Sequence, residues 1–242
     1  MKLSDNKILI TGGASGIGLG LAVRFLQENN EVIICGRSEE RLHKVQLKYP
    51  ALISRRCDLT SEVERVDLFN WISENHPDLT VLINNAGIQN WMDISDDDFF
   101  SKSQQEIELN VTAPLQLSSL FMKLPALATI MNVTSGLSFS PLATVPVYSA
   151  TKAFFHSFTL SLRYLLRHKN IEVIEIIPPA LNTDLGGKGL HDFAPAVNDF
   201  IDAIFKQLKQ NKEELTFGFS EHMSSIGSAE LNAAFKQMNP AR

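Results

Sequence analysis

Tyr148 and Lys152 place a phenol and an ammonium four residues apart, in a segment whose apolar residues recur at helical spacing. On a helix, residues i and i+4 share a face, so both polar tips reach one point. A free phenol titrates near about 10 and is a poor acid at neutral pH; a neighbouring positive charge lowers that value by stabilising the phenolate. The pair reads as a tuned general acid/base. The competing reading is a tyrosine that packs with its hydroxyl in water, because Tyr-x-x-x-Lys also arises in helices with no chemistry to perform. The rest of the chain decides between the two.

A second chemistry-bearing stretch lies near the start, Thr11-Gly12-Gly13-Ala14-Ser15-Gly16-Ile17-Gly18, between a strand at residues 7–11 and a helical pattern through Leu21, Ala22, Phe25 and Leu26. A glycine-rich turn there offers backbone N–H groups and the positive end of a helix dipole to a phosphate. Gly12 suits the tight turn, Gly16 a close approach to pyrophosphate, and Gly18 the packing of helix on sheet. The second strand, Glu31–Cys35, ends in Gly36-Arg37-Ser38, with no acid in the place that would hold a ribose 2′-hydroxyl. Arg37 instead suits a 2′-phosphate, which favours NADP over NAD.

Alternation continues along the chain. A helix runs through Lys48, then come a strand near Leu52–Cys57, Asp58 at its carboxyl end, and a helix over 62–74. Asp58 stands where ligands bind in open parallel sheets and can accept from an adenine amine, or cap the next helix. An aliphatic strand, Leu79–Ile83, delivers Asn84-Asn85-Ala86-Gly87, small and amide residues that let a flat ligand approach the backbone. Ile94-Ser95-Asp96-Asp97-Asp98 reads as a capped, acid-rich helix start, and Phe99–Leu120 as a helical run containing Asn110 among apolar neighbours. Pro114 cannot donate to the Asn110 carbonyl and so can free that oxygen. A strand over 128–133 ends at Thr134-Ser135-Gly136, and the Tyr148 helix runs to about Arg167. A strand at 171–177, Pro178-Pro179-Ala180-Leu181-Asn182-Thr183, a loop with Gly186, Gly187 and Gly189, a helix over 195–210, a last strand at 215–218 and a helix over 228–238 complete the pattern. Strands alternating with helices imply a parallel, doubly wound α/β sheet of Rossmann type with about seven strands.

The 242 residues with 44% hydrophobic content suit one domain over 1–242, with a substrate loop about 184–195. A net charge of −5 gives no footprint for nucleic acid or an anionic membrane. No apolar run approaches the roughly 20 residues of a bilayer span, and no signal peptide precedes the first strand, so a soluble cytoplasmic protein is expected. Cys35 and Cys57 read as reduced thiols, no metal site is expected, and none of the six scattered histidines is assigned to catalysis. Glu175, inside an aliphatic strand, needs a partner that the sequence does not name.

With these residues in order, the chain resembles the short-chain dehydrogenase/reductase family in its single-domain branch. The matching positions are Thr11-Gly12 to Gly18, Asp58, Asn84 to Gly87, Asn110, Ser135, Tyr148, Lys152 and Pro178 to Thr183, with Ser135 13 residues before Tyr148. Gly36-Arg37, Ile174-Glu175 and Thr134 to Leu137 look most like the DltE-type oxidoreductases. The resemblance implies hydride transfer between a nicotinamide, NADP with NAD as the alternative, and a small-molecule carbonyl or alcohol. Tyr148 would exchange the proton and Ser135 would hold the substrate oxygen. Lys152 would lower the tyrosine pKa and bind the nicotinamide ribose, and Asn110 would hold a water linking Lys152 to solvent. Leu181 and Thr183 would orient the carboxamide; Ser15, Ile17, Arg37, Asp58, Leu59, Asn85, Ala86 and Gly87 would line the rest of the cofactor. Two departures stand out. Pro179 replaces the usual Gly after Pro178, altering how the nicotinamide edge is held, and Ser15 replaces a basic residue of some NADP-dependent members. The apolar helices at 115–121 and 154–166 resemble those through which members pair, implying a homodimer or homotetramer. A cofactor-binding regulator or redox sensor without turnover is the alternative, and an epimerase of the larger branch needs a substrate domain for which the length leaves no room.

Overall fold

The computed structural model describes residues 1–240. The first half of the sheet alternates regularly: β1 Lys7–Thr11, α1 Gly16–Gln27, β2 Glu31–Gly36, α2 Glu39–Lys48, β3 Ile53–Arg56, α3 Glu62–Asn75 and β4 Val81–Asn84. After it come α4 Phe99–Ile107, α5 Ala113–Phe121, β5 Thr129–Val133, α6 Pro146–Leu166, β6 Glu172–Ile177, α7 Val197–Leu208, β7 Glu214–Thr216, α8 Phe219–Ser225 and α9 Ser228–Met238. The strands form one seven-stranded parallel sheet in the order β3-β2-β1-β4-β5-β6-β7. Chain direction across the sheet reverses between β1 and β4, and the crevice outside the carboxyl ends of those strands is where such sheets bind ligands.

The pleat of β1 explains why both faces are covered. Ile8 and Ile10 point to a cluster with Leu21 and Phe25 of α1 and Phe200 and Phe205 of α7. Leu9, between them, points the other way, to Leu68 and Ile72 of α3, Leu117 and Phe121 of α5 and Leu162 of α6. Each such side chain, removed from water, contributes about 1.5–3 kcal/mol. A buried polar seam crosses this apolar sheet. Asn84 Nδ2 donates to Asn132 Oδ1 at 3.0 Å and Asn132 Nδ2 to Thr159 Oγ1 at 3.0 Å, tying β4 to β5 and β5 to α6. The amides fix the height of α6 against the strand ends.

Three local features differ from the sequence expectation. The acidic stretch before α4 forms turns instead of a helix start. Asp93 accepts from Ser95 N and Oγ, and Asp96 Oδ2 from Asp93 N, so the helix begins only at Phe99; short acids bonding to nearby backbone compete with helix. The run Phe99–Leu120 is broken by a π turn at Glu108–Thr112, where Ala113 N reaches back five residues to Glu108 O. Pro114, at the start of α5, has no N–H to continue the α-helical ladder. Finally, α8 was not anticipated: it opens at Gly218, whose φ of +54° breaks the chain direction after β7.

Candidate active site

The turn after β1 is held by its own strand end. Thr11 Oγ1 accepts from Asn85 N at 2.9 Å and Ala86 N at 3.0 Å, and Asn85 Nδ2 donates to Thr11 O at 2.8 Å. Gly12 has φ +66°, and a Cβ there would lie 3.0 Å from Ala86 Cα; one at Gly18 would lie 2.4 Å from Gly12 O. Neither position has space for a side chain. Ser15, extended at the N-cap of α1, makes no capping bond, so the helix N-terminus presents its amides to the cavity beyond.

That cavity, of about 1910 Å³, runs along the carboxyl edge of the sheet. It is larger than the about 300–1,000 Å³ of ordinary small-molecule pockets. Gly12, Ser15, Gly16, Ile17, Gly18, Arg37, Asp58, Leu59, Asn85, Ala86, Gly87, Ser135, Tyr148, Lys152, Pro178, Leu181 and Thr183 all line it. At one end Arg37 and the unanticipated Arg41 are exposed beside Asp58. Asp58 does not cap α3, a role taken by Ser61; its carboxylate accepts from Thr60 N at 3.0 Å and Oγ1 at 2.8 Å. Burial opposes its charge, but those bonds and the field of Arg37 hold the carboxyl below its usual range. These groups suit a dinucleotide: amides for pyrophosphate, guanidiniums for an anionic ribose substituent, and glycines where a side chain would obstruct it.

At the other end, β5 and α6 bring the chemistry together. Ser135 leaves β5 in extended conformation, accepts from Leu137 N at 3.1 Å and lies near enough to the Tyr148 phenol to lower its pKa. Lys152, one turn beyond Tyr148, donates from Nζ to Val133 O at 2.8 Å, and its charge lies 5.6 Å from the Tyr148 ring centre. The titration differs from the sequence expectation. Burial pushes the Tyr148 phenol up, the Ser135 hydroxyl pulls it down, and the field of Glu106 pushes it further up. Lys152 is not among these influences, and burial lowers its own pKa to about 8. Asn110 stands behind the cavity wall and does not line it. Its Oδ1 accepts from Ile88 N at 2.9 Å, and Nδ2 donates to Ile88 O at 2.9 Å and Thr151 Oγ1 at 3.2 Å. The π turn lets it face the strand end, and Gly87 leaves room: a Cβ there would stand 3.2 Å from Asn110 Oδ1 and 3.6 Å from Lys152 Nζ.

Several site residues carried no signal in the sequence. Glu106, buried on α4, accepts from Asn90 N and has its second oxygen without a partner among the described residues; burial raises its pKa to about 7. Trp91, Leu142, Leu190, Phe193, Phe219 and Met238 wall the cavity from five separate parts of the chain. Cys35 and Cys57 are free and buried, and burial pushes the Cys57 thiol up to about 12. Among the described residues no cluster of three metal-ligating side chains occurs and no helix is long and apolar enough to cross a membrane.

A phenol, a hydroxyl and an ammonium at the strand ends of a doubly wound sheet, beside a glycine-rich turn, define an oxidoreductase class. Residues 6–192 match the model for short chain dehydrogenase, and the chain belongs to that NAD(P)-dependent family. The likeness to the DltE type is borne out by the oxidoreductase DltE of Bacillus subtilis (strain 168), 43% identical over 250 aligned positions that cover 99% of this chain and 98% of that protein. Serine 3-dehydrogenase of Rhizobium radiobacter is 30% identical over 73% of this chain and 72% of its own. Among solved structures, a short chain dehydrogenase from Burkholderia cenocepacia J2315 in complex with NADP superimposes with a TM-score of 0.82 at 23% identity, covering both chains completely. A 3-ketoacyl-(acyl-carrier-protein) reductase from Brucella melitensis complexed with NADH gives 0.80 at 21% identity over 90% of this chain and all of that one.

Proposed function

We propose that the protein is an NADP(H)-dependent carbonyl reductase or alcohol dehydrogenase with Tyr148 as its acid/base. The observation that carries this reading is the meeting of Ser135, Tyr148 and Lys152 at one end of a cavity whose other end holds the α1 N-terminus and Arg37. When bound, the nicotinamide dinucleotide supplies or accepts the hydride. The α1 amides and Gly16 hold its pyrophosphate, Arg37 and Arg41 a 2′-phosphate, and Leu181 and Thr183 the carboxamide. Ser135 donates to the substrate oxygen, where negative charge develops during reduction, and Tyr148 gives that oxygen its proton. Lys152 keeps a positive charge near the phenol ring and binds the ribose, and Asn110 holds the Ile88 segment and a water leading toward Lys152.

The wall beyond Tyr148 favours an uncharged substrate with a bulky apolar part, since Trp91, Leu142, Leu190, Phe193 and Phe219 line it. Residues 184–195 act as the substrate loop, with Gly186, Gly187 and Gly189 at positive φ and Gly186 packed against Gln89 and Trp91. Exposed Phe154, Leu160, Tyr164 and Leu165 on α6 support a homodimer or homotetramer, checked by light scattering. The test of function is NADPH consumption with a panel of ketones and aldehydes. Wild-type protein is expected to turn over apolar ketones, and Tyr148→Phe to lose at least about a hundredfold in kcat while still binding NADPH. Undiminished turnover by Tyr148→Phe would refute the assignment of the acid.

A further inference from the structure

The carboxylate of Glu175 lies in the middle of β6 at 0% exposure, in a strand that is otherwise aliphatic over Val173–Ile177. Burying a charge there is costly unless it is paired, and Glu175 is paired on two sides. Thr134 Oγ1 donates to its Oε1 at 2.6 Å. His156 Nδ1 faces Oε1 at 2.9 Å and Oε2 at 3.0 Å. Both partners adjoin the reacting groups. Thr134 is the residue before Ser135, and His156 lies one turn beyond Lys152 and two beyond Tyr148 on α6. The His156 ring also packs, tilted at 55°, against Phe139 at 4.7 Å between ring centres, and Phe139 follows the short 3-10 turn Gly136–Ser138. His156 therefore touches the Ser135 segment from both ends, through Glu175 before it and Phe139 after it.

We propose that Glu175 and His156 form a positioning pair that sets the Ser135 hydroxyl against Tyr148. Backbone pairing anchors this segment along β6, through Thr134 N to Ile176 O at 2.9 Å and Gly136 N to Pro178 O at 3.0 Å. The strand ladder fixes height along the sheet but not the distance from β5 to α6. Asn132 to Thr159 and Lys152 to Val133 O tie β5 to α6 directly, and the Thr134–Glu175–His156 bridge adds a third tie next to Ser135, where an error of about 1 Å can cost about a hundredfold in rate. Burial opposes a charge on His156, yet the Glu175 hydrogen bond, its first influence, raises the imidazole pKa, so the bridge is reinforced when the ring is protonated. Glu214 adds to that effect and Arg163 opposes it. The inference rests on the assignment of Ser135 and Tyr148 made above, and neither Glu175 nor His156 touches the cavity.

The test compares Glu175→Gln, His156→Ala and His156→Gln with wild type. Glu175→Gln keeps shape and an acceptor for Thr134 but loses the charge; His156→Gln keeps a donor for Glu175. In Glu175→Gln and His156→Ala, kcat is expected to fall about tenfold with KM for NADPH within about twofold of wild type, and His156→Gln to restore most of the loss. Crystals of Glu175→Gln are expected to show Ser135 Oγ farther from the Tyr148 hydroxyl than crystals of wild type. An unchanged kcat in both impaired variants, or a Ser135–Tyr148 separation equal to that of wild type in those crystals, would overturn the proposal. If wild-type protein reduces no carbonyl, the oxidoreductase reading falls, while the crystallographic comparison still decides the positioning claim.

Discussion

Replacing Lys152 with methionine is expected to abolish efficient turnover and yet make the cofactor-free protein more stable at pH 7. Lys152 is buried, and burial lowers its pKa from 10.5 to about 8. At 1.36 kcal/mol per pH unit, holding the ammonium in that site costs about 3 kcal/mol relative to the unfolded chain. Methionine fills a similar volume without a charge. It leaves the Val133 carbonyl short of a donor, which costs about 1 kcal/mol, so about 2 kcal/mol of net stabilisation remains. For a chain of this size that corresponds to a rise in Tm of about 4–8 °C. The sign follows from the depressed pKa of a cationic group. The penalty is complete below about pH 8 and disappears as pH rises toward 10.5, where both folded and unfolded states release the proton. Calorimetry at pH 7 should place Lys152→Met above wild type, and at pH 10.5 the order should reverse through the orphaned carbonyl. A variant that melts below wild type at pH 7, or a gap that persists undiminished at pH 10.5, would refute the reasoning.

Other perturbations report on other parts of the site. Glu106→Gln removes a buried carboxyl whose pKa burial raises to about 7, so ionising it in the folded state carries a penalty above that pH and none below about 4.5; urea titrations should find the variant more stable than wild type at pH 8 and equal to it at pH 4.5. Arg37→Ala should weaken NADPH about ten- to a hundredfold in calorimetric titration and leave NADH nearly unchanged, because only the former carries a 2′-phosphate for the guanidinium. Gly18→Ala forces a methyl to within 2.4 Å of Gly12 O and of Asn85 Nδ2, and should cost about 1–3 kcal/mol in denaturant unfolding while weakening both cofactors.

Local periodicity made the sheet legible, because strands covered on both faces read as short aliphatic runs and the helices between them carry caps such as Ser38 and Ser61. The glycine turn and the Tyr148, Lys152 and Ser135 spacing were legible for a similar reason: each needs a particular residue type at a fixed offset. What escaped depends on long-range packing or on competition between local bonds. The break in the helix at Glu108–Thr112 was hinted at by Pro114, but its π geometry depends on where the Ala113 amide finds a carbonyl. The acids around Asp96 could serve a helix or a turn, and their mutual bonds decided for the turn. His156 gave no sign of its role, since its partner is 19 residues away on another element, and Lys152 could be placed beside Tyr148 without showing that its charge lies 5.6 Å from the ring centre.

The last helix, α9, has no buried side chain, yet Met238 at its end reaches the cavity and Asn239 just beyond it clasps the facing loop, accepting from Ala143 N at 2.6 Å and donating to Pro141 O at 3.0 Å. A helix so lightly attached detaches at far less free energy than the sheet beneath it. The cavity wall at Met238 is thus a panel fastened to the facing loop by Asn239 and by Ser140, whose Oγ donates to Leu231 O at 3.3 Å. Its amide hydrogens are expected to exchange with solvent before those of β4 and β5, which lie in the buried sheet.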